Sequence, residues 1–299
     1  SRVGMMAMVL KSLAWVLGCS LVILGAWSYT VTKHDRPSAG TPTPRDLARQ
    51  AYYQMEAHVF DRAQLQEAYT KINQAADQNR NEAFIYVAVS FGTLIGGYTI
   101  GDWYDLDTFS GDTVQQALGY AQQAVALDPN LGAAHAQLAR VLVVRREFEE
   151  AARHIATAKV LDPDSFYPQY FEGIWHEKQG LATEANQAFD RAQHAATLPH
   201  HSMLVLGHRT NVAKVEGNAA LQENLLKEGI GLNPNNAYAY GEYAAFLMCK
   251  GRYREAIVQW EQAIRIAPFP RAVSQLEKAK AYLAQEPTTL AQAVVHTGC

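Results

Sequence analysis

The stretch YGEYAAFLMCKGRYREAIVQWEQAIRIAP, Tyr240–Pro268, reads as two amphipathic helices joined at one glycine and stopped by one proline. Its second half carries Ala256, Trp260 and Ala263 in the order Ala-x3-large-x2-Ala. At helical spacing these three residues fall on one stripe over two turns. Small residues let two helix backbones approach, and the large one fills the groove beside them. Gly251 marks the turn between the halves, Pro268 the end of the second.

The pattern recurs. Pro129, Pro163, Pro199, Pro234 and Pro268, read as helix-ending prolines, are spaced 34, 36, 35 and 34 residues apart. The same residue types come into phase before them. Leu138, Ala139, Ala151, Ile155 and Ala158 precede Pro163, while Gly173, Gly180, Ala185, Phe189 and Ala192 precede Pro199. Ala68, Ile72 and Ala75 open the series, followed by Ala117, Ala121 and Ala124. The unit from about Met203 to Pro234 is degenerate, with Gln222 and Gly229 where alanines are expected. A fixed period near 34 implies one helix-turn-helix unit stacked on itself.

These residues resemble the tetratricopeptide repeat (TPR) family, over roughly Leu47 to Ala284. The resemblance implies an all-α fold, a right-handed α-solenoid of about six TPR hairpins with a C-terminal capping helix, "RAVSQLEKAKAYLAQ". It also implies function by binding protein partners, peptide or folded domain, along a concave face built from each unit's first helix. Carried over position by position, the candidate partner-binding residues are Arg140, Tyr167, Tyr170, Asn211, Lys214 and Tyr238. Replacing Tyr167 and Tyr170 together with alanine is then expected to weaken capture without unfolding the chain. The Lys/Asn pattern by which some family members grip a chaperone's C-terminal carboxylate is missing. Ala136, Arg140, Tyr170, Ile174, Gly207 and Asn211 stand at the corresponding positions.

Ahead of the repeats, residues 12–31 run twenty positions without a charge, with Lys11 before them and Lys33, Asp35 and Arg36 after. Twenty helical residues cross a hydrocarbon core of about 30 Å, and Trp27 and Tyr29 sit where interfacial aromatics are expected. The preferred reading is a transmembrane signal-anchor helix. The alternatives are a secretory signal cleaved near Ala26-Trp27-Ser28, which would release a secreted protein, and a lipoprotein signal ending at Cys19. The expected organisation is a tail 1–11, the anchor 12–31, a Pro/Thr-rich tether 32–45, the TPR domain 46–284 and a tail 285–299. The repeats are expected on the periplasmic or extracytoplasmic side.

Composition removes several classes. A net charge of −3 gives no basic field for nucleic acid. Three scattered cysteines make no disulfide framework or CxxC site. Cys249 reads as a small buried side chain and Cys299 as a terminal thiol, with a bridge between them as the alternative. No nucleophile elbow, phosphate-binding glycine loop or HExxH is present, so no catalytic residue and no cofactor is expected.

Two irregularities remain. Residues 98–112 are an insertion in which Trp103, Tyr104, Asp105, Asp107 and Phe109 suit an aromatic-acidic docking loop. Its aspartates lack the glycine and distal glutamate of a calcium loop. His194, His200, His201 and His208 surround the Pro199 junction, but no i,i+4 pair and no acidic partner is evident, so they read as a solvated linker rather than metal ligands. The functional expectation is a membrane-anchored scaffold for assembly or quality control of an envelope complex. A permanent subunit of a membrane complex is the alternative, with a metal-binding module or enzyme behind it.

Overall fold

The computed structural model describes residues 41–57, 62–96 and 111–285. All of the described helices belong to a compact unit that starts at Thr43. Among the described residues there are thirteen helices and no strand. Six hairpins follow one another: α1 (Pro44–Ala57) with α2 (Arg62–Gln78), α3 (Ala83–Gly96) with α4 (Gly111–Leu127), and α5 (Gly132–Val144) with α6 (Phe148–Leu161). They continue as α7 (Phe166–Lys178) with α8 (Ala182–His194), α9 (Pro199–Val215) with α10 (Ala219–Leu232), and α11 (Ala237–Cys249) with α12 (Tyr253–Ile266). The single helix α13 (Pro270–Gln285) closes the stack. This is the expected all-α solenoid of six hairpins and a cap.

The start of α1 follows from three residues. Thr43 Oγ1 donates to Asp46 Oδ2 at 2.7 Å, and Asp46 N donates back to Thr43 Oγ1 at 3.2 Å. This reciprocal cap satisfies backbone donors that a helix start leaves open, and Pro44 at the first helical position gives up none. The helix therefore begins inside the segment read as tether.

The last four repeats turn the same way. In the last four hairpins the residue closing the turn lies in the left-handed region: Arg146 at φ 61°, Gly180 at 76°, Gly217 at 68° and Gly251 at 70°. In each, the following amide donates back to a carbonyl five residues earlier: Glu147 to Leu142, Leu181 to His176, Asn218 to Ala213, and Arg252 to Leu247. That is the six-to-one bond of a Schellman turn. Only at Arg146 does a Cβ occupy the left-handed position, at a cost of about 1 kcal/mol, part of which glycine would return as unfolded-state entropy. Arg146→Gly is thus expected to stabilise the fold by about 0.5 kcal/mol. A urea midpoint that stays put or falls would contradict it.

Stacking is carried by the alanine stripe. Ala68, Ala75, Ala151, Ala158, Ala185, Ala192, Ala256 and Ala263 are all fully buried. Between them Ile72, Ile155, Phe189 and Trp260 fill the hairpin interior. The interior is not continuous. One cluster runs from α1 to α5 and another from α3 to α9, while Leu206, Ala213 and Leu225 form a small island. A further cluster, centred on Trp260, joins α11, α12 and α13. The break falls at the unit whose second helix has lost the alanine pattern.

Pro199 is a correction. The second helix before it, α8, ends at His194, and Pro199 instead opens α9 as its first residue. Proline at that position loses no hydrogen bond, and the connection before it, residues 195–198, is the same length as 162–165, so Pro199 marks a helix start and not the end of a repeat. Cys249 is also a correction: it is disulfide-bonded, while Cys19 and Cys299 lie outside the described residues. Residues 12–31 and most of the insertion lie outside them too. Among the described residues no helix is long and apolar enough to cross a membrane.

Candidate functional site

The first helices α1, α3, α5, α7, α9 and α11 supply the inner face, and its two ends differ. In the N-terminal half it is filled by the chain's own side chains. Arg140 of α5 lies over the Phe91 ring at 4.6 Å and the Phe171 ring at 5.7 Å, cation–π distances that hold the guanidinium in place. Tyr52 of α1 packs edge-on against Tyr167 of α7 at 5.4 Å. Tyr170 is only 6 % exposed, stacked on Phe166 and close to Phe189. Three residues expected to meet a partner, Arg140, Tyr167 and Tyr170, are therefore engaged in internal packing. Alanine at both tyrosines is expected to destabilise the chain, not to leave it folded.

At the centre of this filling lies Glu56, on α1. It falls four residues after Tyr52 and eight after Ala48, on the buried stripe of that helix. Its Oε2 accepts from the Tyr167 hydroxyl at 2.7 Å and lies 2.8 Å from His200 Nε2 and 3.6 Å from His201 Nε2. Burial alone would raise this carboxyl. The hydrogen bonds from His200 and His201, together with their charge, outweigh it and hold the group at about 2. Burial lowers His201 and pushes the Tyr167 hydroxyl well up. His201 is 1 % exposed and stacked face to face on Phe166, ring centres 3.8 Å apart.

The histidine junction is accordingly not a solvated linker throughout. His194 is exposed and bonds only to its own helix, at Asp190 O. His208 pairs with Glu177 at 2.5 Å. His200 and His201, in the first turn of α9, meet the acidic partner that the sequence did not reveal. Glu56 lies 144 residues before His200, and no local spacing connects them. A charged residue on the otherwise apolar stripe of α1 was the one available signal.

In the C-terminal half the inner face opens. Successive first helices pack directly on each other from α1 through α9, and α11 packs on α13, but α9 and α11 have no comparable packing. Between them lies a half-open groove with a cavity volume of about 60 Å³. Leu206, Leu225, Leu226, Gly207 and Gly229 line it with apolar surface, and Thr210, Asn211, Asn236 and Glu242 with polar groups. Gly229 sits against Leu206, where an added Cβ would come within 3.3 Å of Cδ2. The degenerate unit thus explains the opening: Tyr170 fills the inner face of α7, whereas its counterpart on α9 is Gly207.

The groove's polar groups are already shaped. Asn236 caps α11 by accepting from Tyr238 N at 3.0 Å, which turns its amide group toward the start of that helix. Desolvation raises the Glu242 carboxyl, against the opposing pull of Arg271 and Lys214, although 37 % of its side chain remains exposed. Of the remaining three sequence-chosen residues, Asn211 is the one that lines the groove. Lys214 is exposed one turn further along α9, and Tyr238 stacks on Phe269 at 4.6 Å near the groove's α11 edge. Trp103, Tyr104, Asp105, Asp107 and Phe109 lie outside the described residues. Of the insertion, Gly111 and Asp112 form the start of α4.

The comparisons with known proteins speak to the fold. No protein-family profile and no curated protein matches the sequence. Among solved structures, yeast Tom70 is similar with a TM-score of 0.55 at 18 % identity, over 79 % of this chain and 47 % of that one. Pseudomonas aeruginosa PilF is similar at 0.50 and 20 % identity, over 69 % of this chain and 90 % of that one. PilW, a type IV pilus biogenesis factor, is similar at 0.50 and 18 % identity, over 68 % and 91 %. This chain has the TPR fold. It spans about half the length of the Tom70 chain, and at these identities the likeness is one of fold.

Proposed function

We propose that this protein is a membrane-anchored scaffold that takes a protein partner in the groove between α9, α10 and α11, in the service of assembling a larger envelope complex. The observation that carries the reading is the groove itself. It is an opening between first helices, lined by apolar side chains and a few polar groups, the composition of a binding cleft. An apolar partner side chain would rest against Leu206, Leu225 and Leu226, with Asn211 and Asn236 placed to bond its backbone.

Anchoring is supported by the uncharged run 12–31 and the Pro/Thr-rich segment after it. A disulfide at Cys249 fits an oxidising, extracytoplasmic compartment. An assembly role agrees with the description of PilW as a biogenesis factor.

A photo-crosslinking residue placed at Asn211 or Tyr238 in the full chain, in cells, is expected to give a discrete protein adduct. The same residue at Val160, which is 81 % exposed on α6, is expected to give none. Adducts at Val160 alone would overturn the groove assignment. Deletion of residues 12–31 is expected to release the protein from membranes, and an unchanged membrane fraction would overturn the anchor.

A further inference from the structure

We propose that Glu56, His200 and His201 form a binding site for a divalent transition-metal ion of the zinc class, which fastens the first hairpin to the fifth. The three candidate ligand atoms, Glu56 Oε2, His200 Nε2 and His201 Nε2, all lie within 4.8 Å of one another. The carboxylate oxygen is 2.8 Å from one imidazole and 3.6 Å from the other. A tetrahedral zinc ion with bonds near 2.0–2.1 Å holds its ligand atoms about 3.3 Å apart. The observed separations bracket that value, so small rotations of the side chains seat an ion.

The surroundings fit a built site. Glu56 and His201 have side chains 5 % and 2 % exposed, whereas His200 is 21 % exposed and gives an ion its way in. The Tyr167 hydroxyl bonds the ligating oxygen at 2.7 Å and orients the carboxylate. Phe166 fixes the plane of the His201 ring. Outer groups of this kind set the orientation of metal ligands and their affinity. Two imidazoles and one carboxylate select zinc, copper, nickel or cobalt over magnesium and calcium, and leave a fourth position for water.

Several contacts must yield: the His200 Nε2–Glu56 bond at 2.8 Å and the Tyr167 hydroxyl's approach to His201 Nε2 at 3.4 Å give way to the ion, with the His200 proton moved to Nδ1. Without an ion, Thr197 N donates to His201 Nδ1 at 3.3 Å, which leaves the His201 proton on Nε2, facing Glu56. An ion at Nε2 requires that proton on Nδ1. Thr197 is exposed, so its amide can turn to water.

The test uses the full chain stripped with EDTA and titrated with Zn²⁺ by calorimetry, with bound metal counted by elemental analysis. One equivalent is expected, with a higher melting temperature, tighter binding of Cu²⁺ and none of Mg²⁺. His200→Asn, at the most exposed ligand, is expected to fold normally by circular dichroism and to weaken Zn²⁺ binding roughly tenfold or more. His194→Asn, at an exposed histidine elsewhere, is expected to bind as the parent does. A parent chain that takes up no stoichiometric zinc, or a folded His200→Asn chain with undiminished affinity, would overturn the site. Either result would leave the groove reading intact, because Asn211 and Tyr238 crosslinking does not depend on the ion.

Discussion

Trp260→Ala is expected to lower the stability of the C-terminal hairpin by about 3–5 kcal/mol, the range for deleting a fully buried large aromatic side chain. The indole is 1 % exposed, the largest fully buried side chain among the described residues. It rests on Gly241, where an added Cβ would lie 3.1 Å from the ring, and its Nε1–H donates to Met248 Sδ at 3.2 Å. The cavity would be lined by α11, α12 and α13, which share one cluster of apolar side chains. That cluster is separated from the cluster through α5–α8 by the small island at Leu206 and Leu225.

In a stack whose units touch mainly their neighbours, damage of this kind stays local. Hydrogen exchange should therefore show α11–α13 losing protection while α5–α8 keep theirs, with thermal unfolding splitting into two steps. A uniform loss of protection along the whole chain would show that the break in the core does not divide it energetically.

That division also explains what could be read in the sequence. Ala256, Trp260 and Ala263 pack within one hairpin and against its immediate neighbour, so their spacing recurs in the units other than the degenerate fifth and betrays the fold. The left-handed turn residues Gly180, Gly217 and Gly251 are legible for the same reason. The inner face obeys no such rule. Tyr167 meets Glu56 from 111 residues away, and whether a position there is open or filled depends on side chains from other repeats. Family positions carried over one residue at a time chose Arg140, Tyr167 and Tyr170, but did not reveal that they pack against Phe91, Phe171 and Tyr52. The same procedure chose Asn211, which lines the groove beside Gly207 and Gly229. Degeneracy of the fifth unit, a defect when judged against the repeat, was the better guide to the groove.

Glu56→Ala should produce an effect of similar size by a different route. The carboxylate is buried and its Oε2 is approached by three groups, the Tyr167 hydroxyl at 2.7 Å, His200 at 2.8 Å and His201 at 3.6 Å. Removing it leaves the Tyr167 hydroxyl and the nearly buried His201 ring facing a cavity without their acceptor. Breaking a buried charged network by taking away one partner costs about 3–5 kcal/mol, more than the intact network contributes. Tyr167→Phe removes a single hydrogen bond to the same charge and is expected to cost about 1.5–3 kcal/mol. Because both changes delete the Tyr167–Glu56 bond, their double mutant should cost less than the sum, by roughly 1–2 kcal/mol. The measurements belong in EDTA, on chains free of metal, by urea unfolding. Since Glu56 ties α1 to α7 and α9, protection should be lost first in α1 and α2, the reverse of the pattern for Trp260→Ala. Strict additivity, or a loss below about 1 kcal/mol for Glu56→Ala, would mean that the carboxylate is held no more firmly than a surface ion pair. The first hairpin would then stay in place by the apolar packing of α1, Leu47, Ala48, Ala51, Tyr52 and Met55, and by the Arg45 ion pairs with Glu82 and Asp128.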